Sequence, residues 1–255
     1  MTMPELEISQ DAFLDGRLTI CQPKTGYRAG VDPVLLAAFV AAKSGQSVLE
    51  LGCGVGTASF CLATRVQGLR LTGLELQADY AALAVENAAA NKITFDVHVG
   101  DLTRMPADLR GQSFDHVIAN PPYYDRRRGT SAPDAGRETA LGETVDLRQW
   151  MDAAIKRLKP KGQLAIVQDI LRLPDVLGAF DDRVGGVLVQ PIAPRMNAHA
   201  NRVLVRAIKG SNADFTLNAP IIMHEGQKHT EDRESYTPMI RGVLRGGQAL
   251  ILPTK

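Results

Sequence analysis

Short apolar segments alternate with helical patterns from residue 46 onward, and this alternation constrains the fold more than any other feature. Seven segments have the length and apolar character of strands: 47–51, 69–76, 95–99, 114–119, 163–168, 187–192 and 202–208. Helical patterns lie at 57–66, 78–91, 146–157 and 171–180. Strands that alternate with helices form βαβ units, in which helices cover both faces of a parallel sheet. The sequence therefore predicts an α/β fold with a doubly wound, mostly parallel sheet of about seven strands.

The first 45 residues are a separate part of the sequence, because they precede the alternating pattern. Their one helical segment, 34–42, follows Asp32 and Pro33, which favour the cap and the first turn of a helix. We therefore divide the chain into an N-terminal segment with its helix, 1–45, and a main domain with a C-terminal extension, 46–255.

Composition excludes several other classes of protein. With 45% hydrophobic residues and a formal net charge of +1, the chain is expected to fold rather than to remain disordered. Its longest apolar run, 33–42, is about half of the roughly 18 residues that a membrane-spanning helix needs. An acidic N-terminus and three cysteines without a Cys-x-x-Cys pair predict a reduced, cytoplasmic protein. The histidines lack metal-ligand spacing, so no metal site is predicted, and the oligomeric state stays open.

A glycine-rich turn follows the first predicted strand, with the sequence Glu50-Leu51-Gly52-Cys53-Gly54-Val55-Gly56. Glycines at this place let the backbone turn tightly and approach a ligand closely. Glu75 ends the second strand, where a carboxylate can accept hydrogen bonds from both hydroxyls of a ribose. Asp101 ends the third strand, where it can reach the amino group of an adenine. These positions predict a site for a ligand that contains adenosine.

Two ligands are compatible with this pattern. A dinucleotide site also has a glycine turn followed by an acidic residue, but its fingerprint is Gly-x-Gly-x-x-Gly. Here the spacing is Gly52-x-Gly54-x-Gly56, with Glu50 ahead of it. That spacing resembles the first motif of class I methyltransferases that use S-adenosylmethionine. In that family the acidic residue lies near the methionine amino group, and the turn passes beside the methionine part.

The most specific motif is Asn120-Pro121-Pro122-Tyr123, which follows the fourth strand. An exocyclic nitrogen on a ring or a carbonyl is a poor nucleophile, because its lone pair is delocalised. The side-chain oxygen of Asn120 and the backbone carbonyl of Pro121 can each accept one N–H of such an amine, which favours a pyramidal nitrogen. Proline stiffens the turn, and Tyr123 offers an aromatic face to a base. The motif resembles that of amino methyltransferases acting on adenine-N6, guanine-N2 or glutamine-N5.

Further segments resemble the bacterial adenine-N6 methyltransferases that act on valine tRNA. They are 22–32, the stretch Gly136-Arg137-Glu138-Thr139, which lacks a His common in that family, and Tyr236-Thr237-Pro238. The resemblance implies a Rossmann-like sheet with one antiparallel strand, and residues 1–45 covering the cofactor site. It also implies S-adenosylmethionine as the cofactor and RNA as the substrate.

The resemblance assigns roles to individual residues. The expected cofactor-binding residues are Gly30, Asp32, Glu50, Gly52, Gly54, Gly56, Glu75, Leu76, Asp101, Leu102 and Asn120. The expected catalytic residues are Asn120, Pro121 and Tyr123.

Charge is unevenly distributed along the chain, in a way that favours a nucleic-acid partner. Residues 1–120 hold 9 basic and 13 acidic side chains, whereas residues 121–255 hold 20 basic and 15 acidic ones. A long polar loop, 124–145, contains the residues expected to bind RNA phosphates: Arg126, Arg127, Arg128 and Arg137. Arg195, Arg202 and Lys209 are candidates for extending this basic surface. An rRNA acceptor, a protein glutamine acceptor and a non-catalytic binding protein stay as alternatives.

Overall fold

The computed structural model describes residues 7–123, 145–226 and 235–253. Its strands are β1 (Ile8–Phe13), β2 (Leu18–Pro23), β3 (Ser47–Leu51), β4 (Arg70–Glu75), β5 (Phe95–Val99), β6 (Phe114–Ala119), β7 (Leu158–Asp169), β8 (Val184–Ala193), β9 (Arg202–Lys209), β10 (Thr216–Leu217) and β11 (Ile221–Ile222). Its α-helices are α1 (Val31–Phe39), α2 (Thr57–Arg65), α3 (Ala78–Ala90), α4 (Ala107–Arg110), α5 (Leu147–Arg157), α6 (Leu173–Gly178) and α7 (Pro238–Leu244). Short 3-10 helices, Leu102–Arg104 and Ile170–Arg172, follow β5 and β7.

One large sheet organises the fold, with the strand order β10-β8-β9-β7-β6-β3-β4-β5 and with β11 also paired to β8. β9 pairs antiparallel with both β7 and β8, and the other pairings of this sheet within the described residues are parallel. The prediction of a mostly parallel sheet with one antiparallel strand is therefore confirmed. All seven predicted strands are present, and the two-residue strands β10 and β11 were too short to show in the sequence pattern.

Two hydrophobic cores cover the two faces of the sheet, because successive side chains of a strand point to opposite faces. Val48 of β3 and Ile118 of β6 belong to the core that also contains buried residues of α1, α2, α3 and α7. Leu49 of β3 and Val117 of β6 belong to the other core, with buried residues of α5 and α6. Helices therefore lie on both faces, as the alternating sequence pattern predicted.

The N-terminal segment differs from the prediction in two ways. β1 and β2 form an antiparallel hairpin ahead of α1, which the sequence reading missed although its turn contains the hairpin-favouring dipeptide Asp15-Gly16. The helix α1 begins at Val31, so Asp32 lies inside its first turn and does not cap it. The carboxylate of Asp32 pairs instead with the guanidinium of Arg202 on β9.

The parallel strands place several loops at one edge of the sheet. The carboxyl ends of β3, β4, β5, β6 and β7 share that edge, and β3 lies between β4 and β6. The chain order reverses at the β3–β6 boundary, and ligands of open α/β sheets bind at such a point. Among the described residues, no helix combines the length and the apolar character that crossing a membrane requires.

Candidate active site

The structure brings the predicted motifs together at the carboxyl edge of the sheet. In the register, Leu51 of β3 lies opposite Leu74 of β4 and opposite Ala119 of β6. Each motif begins within a few residues of these partners, so the glycine turn, the acidic end of β4 and the Asn120 turn converge. Asp101 follows the next strand, β5, which pairs with β4 along the same edge.

The glycine turn needs glycine for two different reasons. Gly52 and Gly54 have φ values of +63° and +54°, in the left-handed region that side chains rarely adopt. A Cβ on Gly52 would meet Trp150 of α5 at 2.6 Å, so that position is filled by the protein itself. A Cβ on Gly54 would meet only the Tyr27 ring, at 4.0 Å. The space over Gly54 is therefore open, which suits a ligand that passes close to the backbone.

Glu50 is a buried carboxylate at the end of β3, with 3% of its surface exposed. Its Oε2 accepts hydrogen bonds from the Ser59 backbone N–H at 3.0 Å and from the Ser59 hydroxyl at 2.5 Å. Burial raises the pKa of Glu50 from 4.5 to about 7, because ionisation is costly away from water; the bonds from Ser59 oppose this rise. A cationic group beside Glu50 would favour its charged form, which fits the ammonium of a methionine part.

Glu75 holds the glycine turn as well as facing the site. One of its carboxylate oxygens accepts the backbone N–H of Gly54 at 2.8 Å, and the other accepts that of Gln77 at 2.9 Å. Burial raises the pKa of Glu75, and these backbone donors oppose the rise. The two bonds fix the orientation of the carboxylate, and each oxygen keeps a second lone pair that a ribose hydroxyl can use.

The positions expected to contact an adenine lie beside Glu75. Leu76 follows it and is 59% exposed, which is unusual for a large apolar side chain next to a buried acid. Asp101 is partly buried, and its Oδ1 accepts the backbone N–H and the hydroxyl of Thr103 at 2.7 and 2.8 Å. Leu102 packs against the core from the same turn. An apolar side chain and an oriented carboxylate together suit a flat base that carries an amino group.

The side chain of Asn120 is fixed by a residue from a distant part of the sequence. Its Nδ2 donates a hydrogen bond to the hydroxyl of Tyr27 at 2.9 Å. Tyr27 is anchored in turn, because its backbone carbonyl accepts the hydroxyl of Tyr80 at 3.2 Å. Burial, with the nearby Asp32 and Glu50 carboxylates, raises the pKa of Tyr27, so its phenol stays protonated. The bond to Tyr27 holds the amide nitrogen, which leaves the Asn120 oxygen as the acceptor.

A second group of contacts joins Asp32 to the Asn120 turn. Asp32 pairs with Arg202 at 2.5 Å, which ties α1 to the first residue of β9. The hydroxyl of Tyr123 is buried and lies beside the Asp32 carboxylate. Burial and the neighbouring Asp32 carboxylate raise the pKa of Tyr123. Gly30 precedes α1, and a Cβ there would meet nothing within 4 Å.

Two supporting residues were not identified in the sequence. Tyr27 belongs to the segment 22–32 that resembled the family, but nothing local links it to Asn120. Asn87 of α3 is 1% exposed, and its side chain accepts the N–H of Cys21 and donates to the carbonyls of Cys21 and Val55. It thereby joins the hairpin to the glycine turn. Asn87 is an amide side chain on the buried face of an Ala-rich helix. An amide at such a position was the one indication in the sequence that this residue makes buried hydrogen bonds.

The predicted basic surface is only partly described. Arg126, Arg127, Arg128 and Arg137 lie outside the described residues. The other three candidates make contacts within the fold: Arg195 donates to the carbonyls of Glu225 and Gly226, Lys209 donates to that of Leu158, and Arg202 pairs with Asp32. These contacts fix one part of each side chain in the fold, and a role of the three residues in phosphate binding stays a prediction. In the described ranges, no group of three or more His, Cys, Asp or Glu side chains is arranged to hold a metal ion.

A family comparison agrees with this geometry. Residues 29–181 match the model of the methyltransferase small domain family, which is more than half of the chain. The chain belongs to this family. It is a class I methyltransferase, and its cofactor is S-adenosylmethionine. The family therefore decides between the two ligands compatible with the glycine spacing, a dinucleotide and S-adenosylmethionine. The open backbone at Gly54, the buried acids and the exposed Leu76 suit that cofactor.

Named relatives are similar over most of the chain. A Porphyromonas gingivalis protein called tRNA1(Val) (adenine(37)-N6)-methyltransferase is 31% identical over 175 residues, covering 65% of this chain and 68% of the relative. A protein of the same name from Aeromonas hydrophila is 28% identical and covers 81% of this chain and 86% of the relative. The crystal structure of Atu636 from Agrobacterium tumefaciens, described as a predicted O-methyltransferase, has a TM-score of 0.69 and 29% identity, covering 86% of this chain and 98% of that one. This similarity confirms the recognition of the family and the Rossmann-like fold.

Proposed function

We propose that this methyltransferase transfers a methyl group to the N6 amino group of an adenine in tRNA. The observation that carries the proposal is the Asn120-Pro121-Pro122-Tyr123 turn, which lies beside the cofactor turn with its Asn amide nitrogen held by Tyr27. The relatives from Porphyromonas gingivalis and Aeromonas hydrophila have names that specify adenine 37 of tRNA1(Val). Adenosine 37 of a valine tRNA is therefore the acceptor that we propose for this chain.

The cofactor-binding roles form the first part of the proposal. Glu50 holds the ammonium of the methionine part, and the turn Gly52–Gly56 lies along it. Glu75 accepts the ribose hydroxyls, while Leu76, Asp101 and Leu102 contact the adenine. Residues 1–45, with Gly30 and Asp32 at the start of α1, cover the cofactor. The support for this last role is that Tyr27 lies at 4.0 Å from the place of a Gly54 Cβ and also reaches Asn120.

The catalytic turn supplies acceptors where positive charge develops. When bound, S-adenosylmethionine would supply an electrophilic methyl group on a sulfonium, with a sulfide as the leaving group. Asn120 Oδ1 and the Pro121 carbonyl each accept one N–H of the target amine, which turns its lone pair away from the ring and towards the methyl. The Tyr123 ring packs against the base and excludes water. The methylated nitrogen carries a positive charge and releases one proton to water when the product leaves the site, so neither acceptor has to become a strong base.

We propose that RNA recognition involves the segment after this turn, which lies outside the described residues. Arg126, Arg127, Arg128 and Arg137 contact backbone phosphates, because arginine forks match phosphate oxygens. An adenosine in an anticodon loop is easier to extrude than one in a duplex, since unpaired bases are splayed or lightly stacked. This makes an RNA loop a better acceptor than double-stranded nucleic acid for a small methyltransferase.

Methyl transfer to separated cellular fractions tests the proposal. Purified protein, incubated with labelled S-adenosylmethionine and with tRNA, rRNA or protein fractions, is expected to label tRNA and to produce N6-methyladenosine on nucleoside analysis. Label found only in rRNA or only in protein would show that the proposed tRNA acceptor is wrong. Cofactor binding without methyl transfer to any fraction would indicate a binding protein.

Two alanine variants separate catalysis from folding. Asn120→Ala should lose transfer while it still binds the cofactor, because it removes an acceptor from the reacting amine. Asn218→Ala is the matched control, since it removes a side-chain amide that contacts Gln190 away from the catalytic turn. If Asn120→Ala methylates tRNA at the rate of Asn218→Ala, the catalytic role of Asn120 is wrong.

A further inference from the structure

The carbonyl oxygens of Pro121, Pro122 and Tyr123 in the catalytic turn are held by side chains from the end of β7 and from the 3-10 helix that follows it. The Nε2 of Gln168 lies 3.3 Å from the Pro121 oxygen and 3.5 Å from the Pro122 oxygen. The guanidinium of Arg172 donates to the Tyr123 oxygen at 3.4 Å.

Gln168 is built to present its nitrogen in this direction. Its side chain is completely buried, with 0% exposed, so both ends of its amide need partners. Its Oε1 accepts the backbone N–H of Asp169 at 2.9 Å, which fixes the amide orientation and points the nitrogen at the prolines. The reversed amide would place an oxygen against carbonyl oxygens and an NH2 group against an N–H.

The sheet register explains why Gln168 reaches this turn. Ala119 of β6 lies opposite Ile166 of β7, so Pro121 and Gln168 each lie two residues past a matched pair. Arg172 follows within the 3-10 helix, is 3% exposed, and is held by Asp175 at 2.8 Å. The end of β7 is therefore a rigid support beside the end of β6.

We propose that Gln168 is a positioning residue for methyl transfer, which aims the Pro121 carbonyl at the target amine. The inference rests on the proposed function in taking that carbonyl as an acceptor for the amine. A carbonyl oxygen has two lone pairs, so Gln168 occupies one and leaves the other directed into the site. Arg172 assists by holding the next peptide groups of the turn, so that the Pro121 peptide cannot rotate freely.

The test compares two buried glutamines of the same sheet. Gln168→Met keeps the length of the side chain and removes the donor. Gln190→Met is the matched control, because Gln190 is 1% exposed and its Nε2 donates to the carbonyls of Pro191 and Ala219, away from the catalytic turn. We expect Gln168→Met to lower kcat on tRNA about tenfold to a hundredfold, because small displacements of reacting groups are costly. The KM for tRNA and the Kd for S-adenosylmethionine should change less than about twofold.

Two kinetic outcomes overturn the proposal. One is a fall of kcat in Gln190→Met that equals the fall in Gln168→Met at a matched loss of melting temperature, because the loss would then come from a loosened fold. Retention of the wild-type kcat in Gln168→Met also overturns it. Gln168→Asn, which withdraws the amide from the turn but stays polar, should reproduce the kcat loss and decides the question if the Met variant does not fold.

Crystal structures of the same variants give a readout that needs no acceptor. Gln168→Met should show a rotated Pro121 carbonyl, and Gln190→Met should leave it unchanged. An unchanged carbonyl in Gln168→Met contradicts the positioning role whatever the substrate is. Failure of wild-type protein to methylate RNA would instead contradict the proposed function, and the carbonyl orientation would still decide the role of Gln168.

Discussion

Replacing Glu50 by Gln perturbs the buried charge beside the proposed methionine pocket without changing its shape. The Gln oxygen can still accept the backbone N–H and the hydroxyl of Ser59, which lie 3.0 and 2.5 Å from Glu50 Oε2 in the wild type. What the substitution removes is the ionisation of a side chain that is 3% exposed. The variant therefore measures how much the charge of Glu50 lowers the stability of the free protein and how much it raises the affinity for the cofactor.

The magnitude follows from the pKa of Glu50. Burial raises that pKa from 4.5 to about 7, so the folded state binds a proton more tightly than the unfolded state. The contribution of this tighter proton binding to the free energy of unfolding is fully present below about pH 4.5 and is lost as the pH rises through about 7. Between about pH 5.5 and 8.5 this linkage lowers the free energy of unfolding of the wild type by about 2 kcal/mol. Glu50→Gln cannot titrate, so it should lack this loss.

Urea denaturation of both proteins without cofactor, at each pH, measures the effect. Glu50→Gln should gain about 2 kcal/mol relative to the wild type on going from the lower to the higher pH, because contributions of other groups cancel in the difference. A difference between the two proteins that does not change with pH would refute the argument for a raised pKa. At the higher pH, calorimetry should show that Glu50→Gln binds S-adenosylmethionine about tenfold or more weakly. Equal affinity would refute the ammonium-binding role.

Three further predictions follow from contacts in the site. Tyr27→Phe frees the Asn120 amide and should lower kcat about tenfold at saturating cofactor, whereas an unchanged kcat would show that the amide is held by other means. Gly54→Ala should weaken cofactor binding in titrations far more than Gly16→Ala, which is the control because Gly16 also has a positive φ and open surroundings. Each substitution should lower the free energy of unfolding by about 1–2 kcal/mol, measured by denaturation. Arg202→Met leaves its carboxylate partner on α1 unpaired and should lower the free energy of unfolding by about 1–2 kcal/mol, while a neutral result would show that the pair does not anchor α1.

Local patterns were sufficient to predict seven strands of the large sheet, the order of the motifs and their convergence at one edge of the sheet. Asn120 and Asp101 follow buried strands directly, and the carboxyl ends of parallel strands meet at one edge, so their proximity follows from the fold class. Glu75 was predicted as a ribose ligand, and the structure adds that it also accepts the Gly54 N–H. The hairpin formed by β1 and β2 was missed, since its alternation of buried and exposed residues is carried by only a few apolar side chains.

The supporting contacts could not be predicted because they join distant parts of the chain. Tyr27 reaches Asn120 over 93 residues, and Arg202 reaches Asp32 over 170. Such pairs depend on how α1 packs on the sheet, which no local pattern encodes. A glutamine at the end of a strand, such as Gln168, has no distinctive sequence signature. Its contact with Pro121 is explained by the register of β6 and β7, which is known only from the structure. The pair of Arg202 with Asp32 was missed for the same reason, since the sequence around Arg202 does not reveal its acidic partner.

We propose that this chain methylates N6 of one adenosine beside the anticodon of a valine tRNA. Nucleoside analysis of two unmodified tRNA1(Val) transcripts, after incubation with the protein and S-adenosylmethionine, tests this proposal. One transcript is natural and the other has guanosine at position 37, the site named in the relatives. N6-methyladenosine is expected in the first transcript and not in the second. Equal methylation of both transcripts, or of neither, would contradict it.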